Sequence, residues 1–105
     1  METKTISLPR LNRLNPTLES TALKLMEEAG ELAQAIGKFR GMSGEKVNYD
    51  ETMTINSIVD ELLDVAQTAV SMMYVMEEYY DVNISNALEK HVAKLKGKGY
   101  LETNE

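Results

Sequence analysis

The sequence predicts an all-α fold: an antiparallel helical hairpin plus a third helix, which completes a four-helix-bundle-like core on oligomerisation. Three observations carry this. Apolar residues recur at alternating spacings of three and four in three separate segments. No segment of useful length alternates with period two, so no sheet is expected. Glycine, proline and asparagine mark the gaps between the periodic stretches.

Residues 1–15 have no helical period, and Pro9 interrupts them. Asn15-Pro16 reads as a helix start, with Asn15 as cap and Pro16 in the first turn. The first helix is expected at 16–40, with one buried stripe of Leu18, Ala22, Leu25, Ala29, Leu32, Ile36 and Phe39. Gly41 supplies the stop, and residues 41–51 read as a loop. A second helix is expected at 53–80. Its apolar positions include Ile55, Ile58, Val59, Leu62, Val65, Met72 and Met76. Leu63, Val70 and Tyr74 give this helix a second apolar face. A helix apolar on two sides is buried on two sides, and so short a chain leaves that face to another copy. A homodimer or homotetramer is therefore expected. Asp81-Val82-Asn83 is a tight connection with Asn83 as cap. A third helix follows at 84–96 with Ile84, Leu88, Val92 and Leu95 in register, and residues 97–105 are expected to fray.

A chain of 105 residues is a single domain by length. The absence of cysteine excludes disulfides, thiolate metal sites and cysteine nucleophiles. The one histidine, His91, excludes a histidine-rich metal site within a chain. A net charge of −6 argues against a nucleic-acid polymer as partner, because phosphate-backbone binding needs a basic surface. No apolar run approaches the ~18 residues of a membrane span. The first residues lack the apolar core of a signal peptide. A cytoplasmic protein without membrane contact is the expectation.

The chemistry is concentrated in two acidic pairs, Glu28 with Glu31 and Glu61 with Asp64. Residues three apart share one face of a helix, so two adjacent helices can aim all four carboxylates at one point. Like charges repel unless a cation lies between them. A hard divalent ion such as magnesium suits carboxylate oxygens. Glu27 adds a carboxylate beside the first pair. Both pairs flank the boundary of the predicted core. No GxxxxGK[ST] loop is present, so a P-loop mechanism is not expected. A di-iron bundle needs Glu-x-x-His pairs, and the residue three before His91 is Leu88.

The segments Glu27-Glu28-Ala29-Gly30-Glu31-Leu32 and Asp60-Glu61-Leu62-Leu63-Asp64-Val65 resemble the EExxE…ExxD signature of the MazG-type nucleoside triphosphate pyrophosphohydrolases. The resemblance spans residues 17–98. It implies an all-α fold and a magnesium ion, or manganese in its place, held by Glu28, Glu31, Glu61 and Asp64. It further implies hydrolysis of a nucleoside triphosphate to monophosphate and pyrophosphate, in a house-cleaning role on the nucleotide pool. Glu27 and Glu28 are then the catalytic candidates. Ala87 to Lys94 resembles the family's phosphate-binding last helix, which makes Lys90 and Lys94, with Lys38 on the first helix, the substrate-binding candidates. The family often carries aromatic base contacts ahead of its ExxE helix, whereas residues 1–15 hold no aromatic residue. A helical binding or regulatory module that keeps the metal scaffold without turnover is the alternative reading.

Overall fold

The computed structural model describes residues 1–41 and 51–102. Among these the secondary structure is entirely helical: α1 (Leu18–Phe39), α2 (Glu51–Tyr80) and α3 (Ile84–Gly97). The predicted loop at 41–51 falls largely outside the described residues, and α2 begins before the expected position 53.

Local chemistry accounts for the helix ends. Asn15 does not cap α1. Thr17 does, its hydroxyl accepting from the Ser20 N–H at 3.0 Å while the Ser20 hydroxyl accepts from the Thr17 N–H at 2.8 Å. This reciprocal box satisfies donors that the first turn would otherwise leave open, and Pro16, with no N–H, precedes it. At the other end Gly41 takes φ +69°, where a Cβ would be strained. Asn83 caps α3 as expected, its side chain accepting from the Asn86 N–H at 3.0 Å. The expected fraying from residue 97 is not seen at Gly97–Tyr100. Gly97 is helical, Gly99 takes φ +79°, and the Tyr100 N–H returns to the Leu95 carbonyl at 3.0 Å. Together with the Gly99 N–H donating to the Lys96 carbonyl at 3.0 Å, that bond closes α3 with a Schellman motif. Residues 103–105 lie outside the described set.

Helices α1 and α2 form the one extensive helix–helix interface among the described residues. They run antiparallel, since Glu28 and Glu31 meet Glu61, while the segment just before α1 meets the last turns of α2. The seam follows a heptad. On α1 the seam positions Leu18, Thr21, Leu25, Glu28, Leu32, Ala35 and Phe39 are buried or half-buried, with Ala22, Glu31 and Gly37 half-buried beside them, and on α2 the seam includes Ile58, Glu61, Val65, Thr68, Met72 and Val75. This corrects the predicted stripe. Leu18, Leu25, Leu32 and Phe39 keep their places, but Thr21, Glu28 and Ala35 are the buried partners, while Ala29 and Ile36 are exposed.

One residue further round each helix lies a second apolar row. It comprises Ala22, Met26, Ala29, Ala33 and Ile36 on α1, and Ile55, Val59, Leu62, Ala66, Ala69 and Met73 on α2. Leu62 is 53 % exposed and Met26 73 %. In an antiparallel pair the same rotation carries both rows to one side, so the hairpin presents a continuous apolar face. The second face of α2 expected at Leu63, Val70 and Tyr74 is different: Tyr74 is covered by Arg10, 5.1 Å from the ring centroid. Residues 1–15 form no helix. Residues 9–16 lie along α2 on the side away from the apolar face, tied by Gln67 Nε2 donating to the Pro9 carbonyl at 2.8 Å and by an Arg10–Glu78 ion pair. Helix α3 makes no comparable interface with α1 or α2. No helix among the described residues is long and apolar enough to cross a membrane.

Candidate metal centre

Glu28 and Glu61 occupy seam positions, so packing drives them together. Glu31 stands one residue before Leu32, on the polar side. One carboxylate oxygen from each of Glu28, Glu31 and Glu61 lies within 4.8 Å of the other two. Glu28 is only 6 % exposed. Its Oε2 and the Oε2 of Glu61 are buried without a hydrogen-bond partner. Burying unpaired carboxylate oxygens is costly, and three such charges at this range repel.

The electrostatics carry the mark of that crowding. The neighbouring charge of Glu28 holds Glu31 above the ordinary glutamate range, with loss of solvent and the charge of Glu61 adding to the effect. The cation paired with the group is Lys24, whose Nζ lies 3.0 Å from Glu28 Oε1 and 3.9 Å from Glu27 Oε1. The bond to Glu28, reinforced by the charges of Glu27 and Glu28, raises the Lys24 pKa. Lys24 belongs to the i,i+4 pattern with Glu28, the signal by which it is legible in sequence.

The donor set fits a hard divalent cation. Among the described residues, all converging atoms are carboxylate oxygens, two residues carry orphaned buried oxygens, and one lysine does not neutralise three acids.

The other sequence candidates fall elsewhere. Asp64 is outside the converging trio. It is exposed, its carbonyl accepts from the Thr68 hydroxyl at 2.9 Å, and it lines an adjoining cleft together with Glu28. Glu27 is exposed at the rim beside Lys24. Lys38 is exposed in the last turn of α1. Lys90 and Lys94 are exposed on α3 and form no ion pair among the described residues. Sequence reasoning missed the cleft itself, which residues 11–16 wall against α1 and α2. Only the absence of helical period ahead of Pro16 could have hinted that those residues were free to serve as a wall.

Comparison with known proteins gives one finding. The sequence matches the MazG nucleotide pyrophosphohydrolase domain over residues 16–99, a span that includes all three helices and every acidic residue above. Neither the curated proteins nor the solved structures give a match. The chain belongs to the MazG nucleotide pyrophosphohydrolase family.

Proposed function

We propose that this protein is a magnesium-dependent nucleoside triphosphate pyrophosphohydrolase. Its products are a nucleoside monophosphate and pyrophosphate, and its role is to clear surplus or noncanonical nucleotides. The convergence of Glu28, Glu31 and Glu61 on one point, with two orphaned buried oxygens, is the observation that carries this reading.

Glu28, Glu31 and Glu61 would hold the ion, with Asp64 as a fourth ligand from the next turn of α2. A magnesium ion bound there, or manganese in its place, supplies the charge that anchors a triphosphate and offsets the negative charge of departing pyrophosphate. The protein's own part is positional. The hairpin seam fixes Glu28 and Glu61 within packed helices, so their oxygens are preorganised. The attacking water adds to the α-phosphorus as the α–β anhydride bond breaks. Its proton passes to a carboxylate at the rim, and Glu27, outside the converging trio, is the candidate acceptor.

Lys38 lies in the last turn of α1, and Lys90 and Lys94 lie on a helix that does not pack against the acidic group. A phosphate-binding role for Lys90 and Lys94 is therefore one played between copies. The exposed apolar side of the hairpin supports self-association, since a continuous apolar face of this kind marks an interaction surface.

The test is product analysis by phosphorus NMR on a panel of ribo- and deoxynucleoside triphosphates with magnesium. Monophosphate and pyrophosphate are expected. Diphosphate and orthophosphate would overturn the regiochemistry. A panel with no turnover would leave the non-catalytic binding module as the better account.

A further inference from the structure

The acidic group carries an internal cation, and the two ends of that ion pair lie in opposite surroundings. Lys24 stands one helical turn before Glu28 on α1, with its Nζ 3.0 Å from Glu28 Oε1. The Glu28 side chain is 8 % exposed and the Lys24 side chain 54 %. We propose that Lys24 is a resident counter-ion of the metal centre, balancing Glu28 while no metal is bound and giving way when a divalent cation enters. The inference rests on the metal-dependent reading above and concerns how that site stays folded and how tightly it holds its ion.

Three observations carry it. First, the acidic group has one cation to call on. Among the described residues, Lys24 is the one basic side chain ion-paired with any of Glu28, Glu31 and Glu61, while Arg10 pairs with Glu78. Three carboxylates with oxygens within 4.8 Å of one another therefore share a single ammonium. Removing one partner of a pair with a buried end leaves an uncompensated charge and is strongly destabilising. Packing at the seam fixes Glu28, so a hairpin without metal needs Lys24 where it stands.

Second, Lys24 is arranged to leave. Its stem is flexible and its ammonium strongly hydrated, and more than half of the side chain already meets water. Lysine placed N-terminal to glutamate is the weaker order for an i,i+4 pair on a helix. The other partner of Lys24 is Glu27, 3.9 Å away and exposed at the rim. Rotation about the stem thus moves the ammonium from a buried carboxylate to an exposed one.

Third, the ammonium and a dication compete. Lys24 engages Oε1 of Glu28, while Oε2 of Glu28 and Oε2 of Glu61 are the buried oxygens without partners. A dication drawn to those oxygens comes within a carboxylate's width of the ammonium. Repulsion at that range, in a partly buried site, changes binding by roughly tenfold or more. A lysine that only oriented Glu28 would have the opposite sign, since loss of a group that supports a metal ligand weakens binding by about 10–100-fold.

Calorimetric titration with magnesium chloride and thermal unfolding of chelator-treated protein test this on the full chain. Lys24→Met keeps the stem and removes the charge. It is expected to bind magnesium roughly tenfold or more tighter than wild type. It should also unfold at a lower temperature than wild type without metal, and saturating magnesium should close that gap. Lys24→Arg keeps the charge and should stay near wild type in both readouts. Lys96→Met removes the same charge from an exposed position on α3, a helix that does not pack on the acidic group, and should leave magnesium affinity unchanged. If Lys24→Met unfolds without metal, recovery of helicity on adding magnesium upholds the charge balance, and no recovery overturns it. Unchanged or weaker binding in Lys24→Met, or equal tightening in Lys96→Met, overturns the counter-ion while the metal-dependent reading stands. If neither wild type nor any variant binds magnesium, the metal centre and the counter-ion fall together.

Discussion

The α1–α2 hairpin has two sides that differ by a small rotation of each helix. One side carries Met26, Ile36, Ile55, Val59, Leu62 and Met73. The other carries Lys24, Glu27, Glu31, Asp60, Asp64 and Gln67. Between them runs the seam, in which Glu28 and Glu61 replace residues that a purely structural hairpin would make apolar. A two-helix unit cannot bury an apolar face by itself, so the proposed association takes one side and the proposed chemistry the other. The seam serves both, since packing that brings the helices together also forces the carboxylates into proximity.

The largest expected effect comes from breaking the apolar side. Leu62→Glu would place an unpaired carboxylate in the proposed association surface. We expect sedimentation to show the dissociation constant rising by at least ~100-fold, each tenfold step being ~1.4 kcal/mol. Gln34→Glu adds the same charge on the polar side and should leave association unchanged. Equal effects of the two substitutions would erase the distinction between the sides.

Next comes Glu31→Gln, at the polar edge of the acidic group. It is expected to weaken magnesium binding by at least about 10–100-fold, the range seen even for residues that only support ligands. Helicity should not change, because Glu31 is not a seam position. Unchanged affinity by calorimetry would count against the site.

A pH series sharpens the same point. The folded-state pKa of Glu31 is raised by Glu28. The folded protein therefore holds its proton more tightly than the unfolded chain does. Stability from this group is present below the ordinary glutamate range and is lost as pH rises through the raised value. Metal-free protein should thus lose stability from this group as pH rises above the ordinary glutamate range, and Glu31→Gln should flatten that slope. Magnesium should restore stability at neutral pH, by about 2.7 kcal/mol at a hundredfold excess over its dissociation constant. Thermal scans with and without the ion would check both signs.

The smallest effect belongs to the anchored segment. Arg10→Ala loses an exposed ion pair and a cation–π contact, so denaturant titration should find a loss of roughly 0.5–1 kcal/mol that shrinks in high salt.

Much of this architecture was legible in the residues. The spacing of Leu18, Leu25, Leu32 and Phe39 located α1, and Asn83 and Gly41 marked ends correctly, because periodicity and capping are local signals. The i,i+3 pairs of carboxylates were equally local, and packing did bring three of the four together. What periodicity could not tell was which edge of the stripe faces inward. Ala29 and Ile36 are more apolar than Thr21 and Glu28, so hydrophobicity favoured the wrong edge there, while Ala22 is half-buried. The packed pair instead buries Thr21, Glu28 and Ala35 and leaves Ala29 and Ile36 outward. The same error set Glu28 and Glu61 at the core boundary when they lie within the seam. The 9–16 wall was not legible at all: its ties to Gln67, Tyr74 and Glu78 are separated from it by nearly the length of the hairpin.

The most direct test of the central claim is a manganese titration followed by amide NMR, since the paramagnetic ion broadens resonances according to distance. Substoichiometric manganese should broaden the amides around Glu28, Glu31 and Glu61 first and together, spare those around Met26 and Leu62 less than those of the distant exposed turns, and lose its effect in Glu31→Gln. Broadening centred on another part of the chain, or spread evenly over the acidic surface, would contradict the claim that the hairpin seam builds one metal centre.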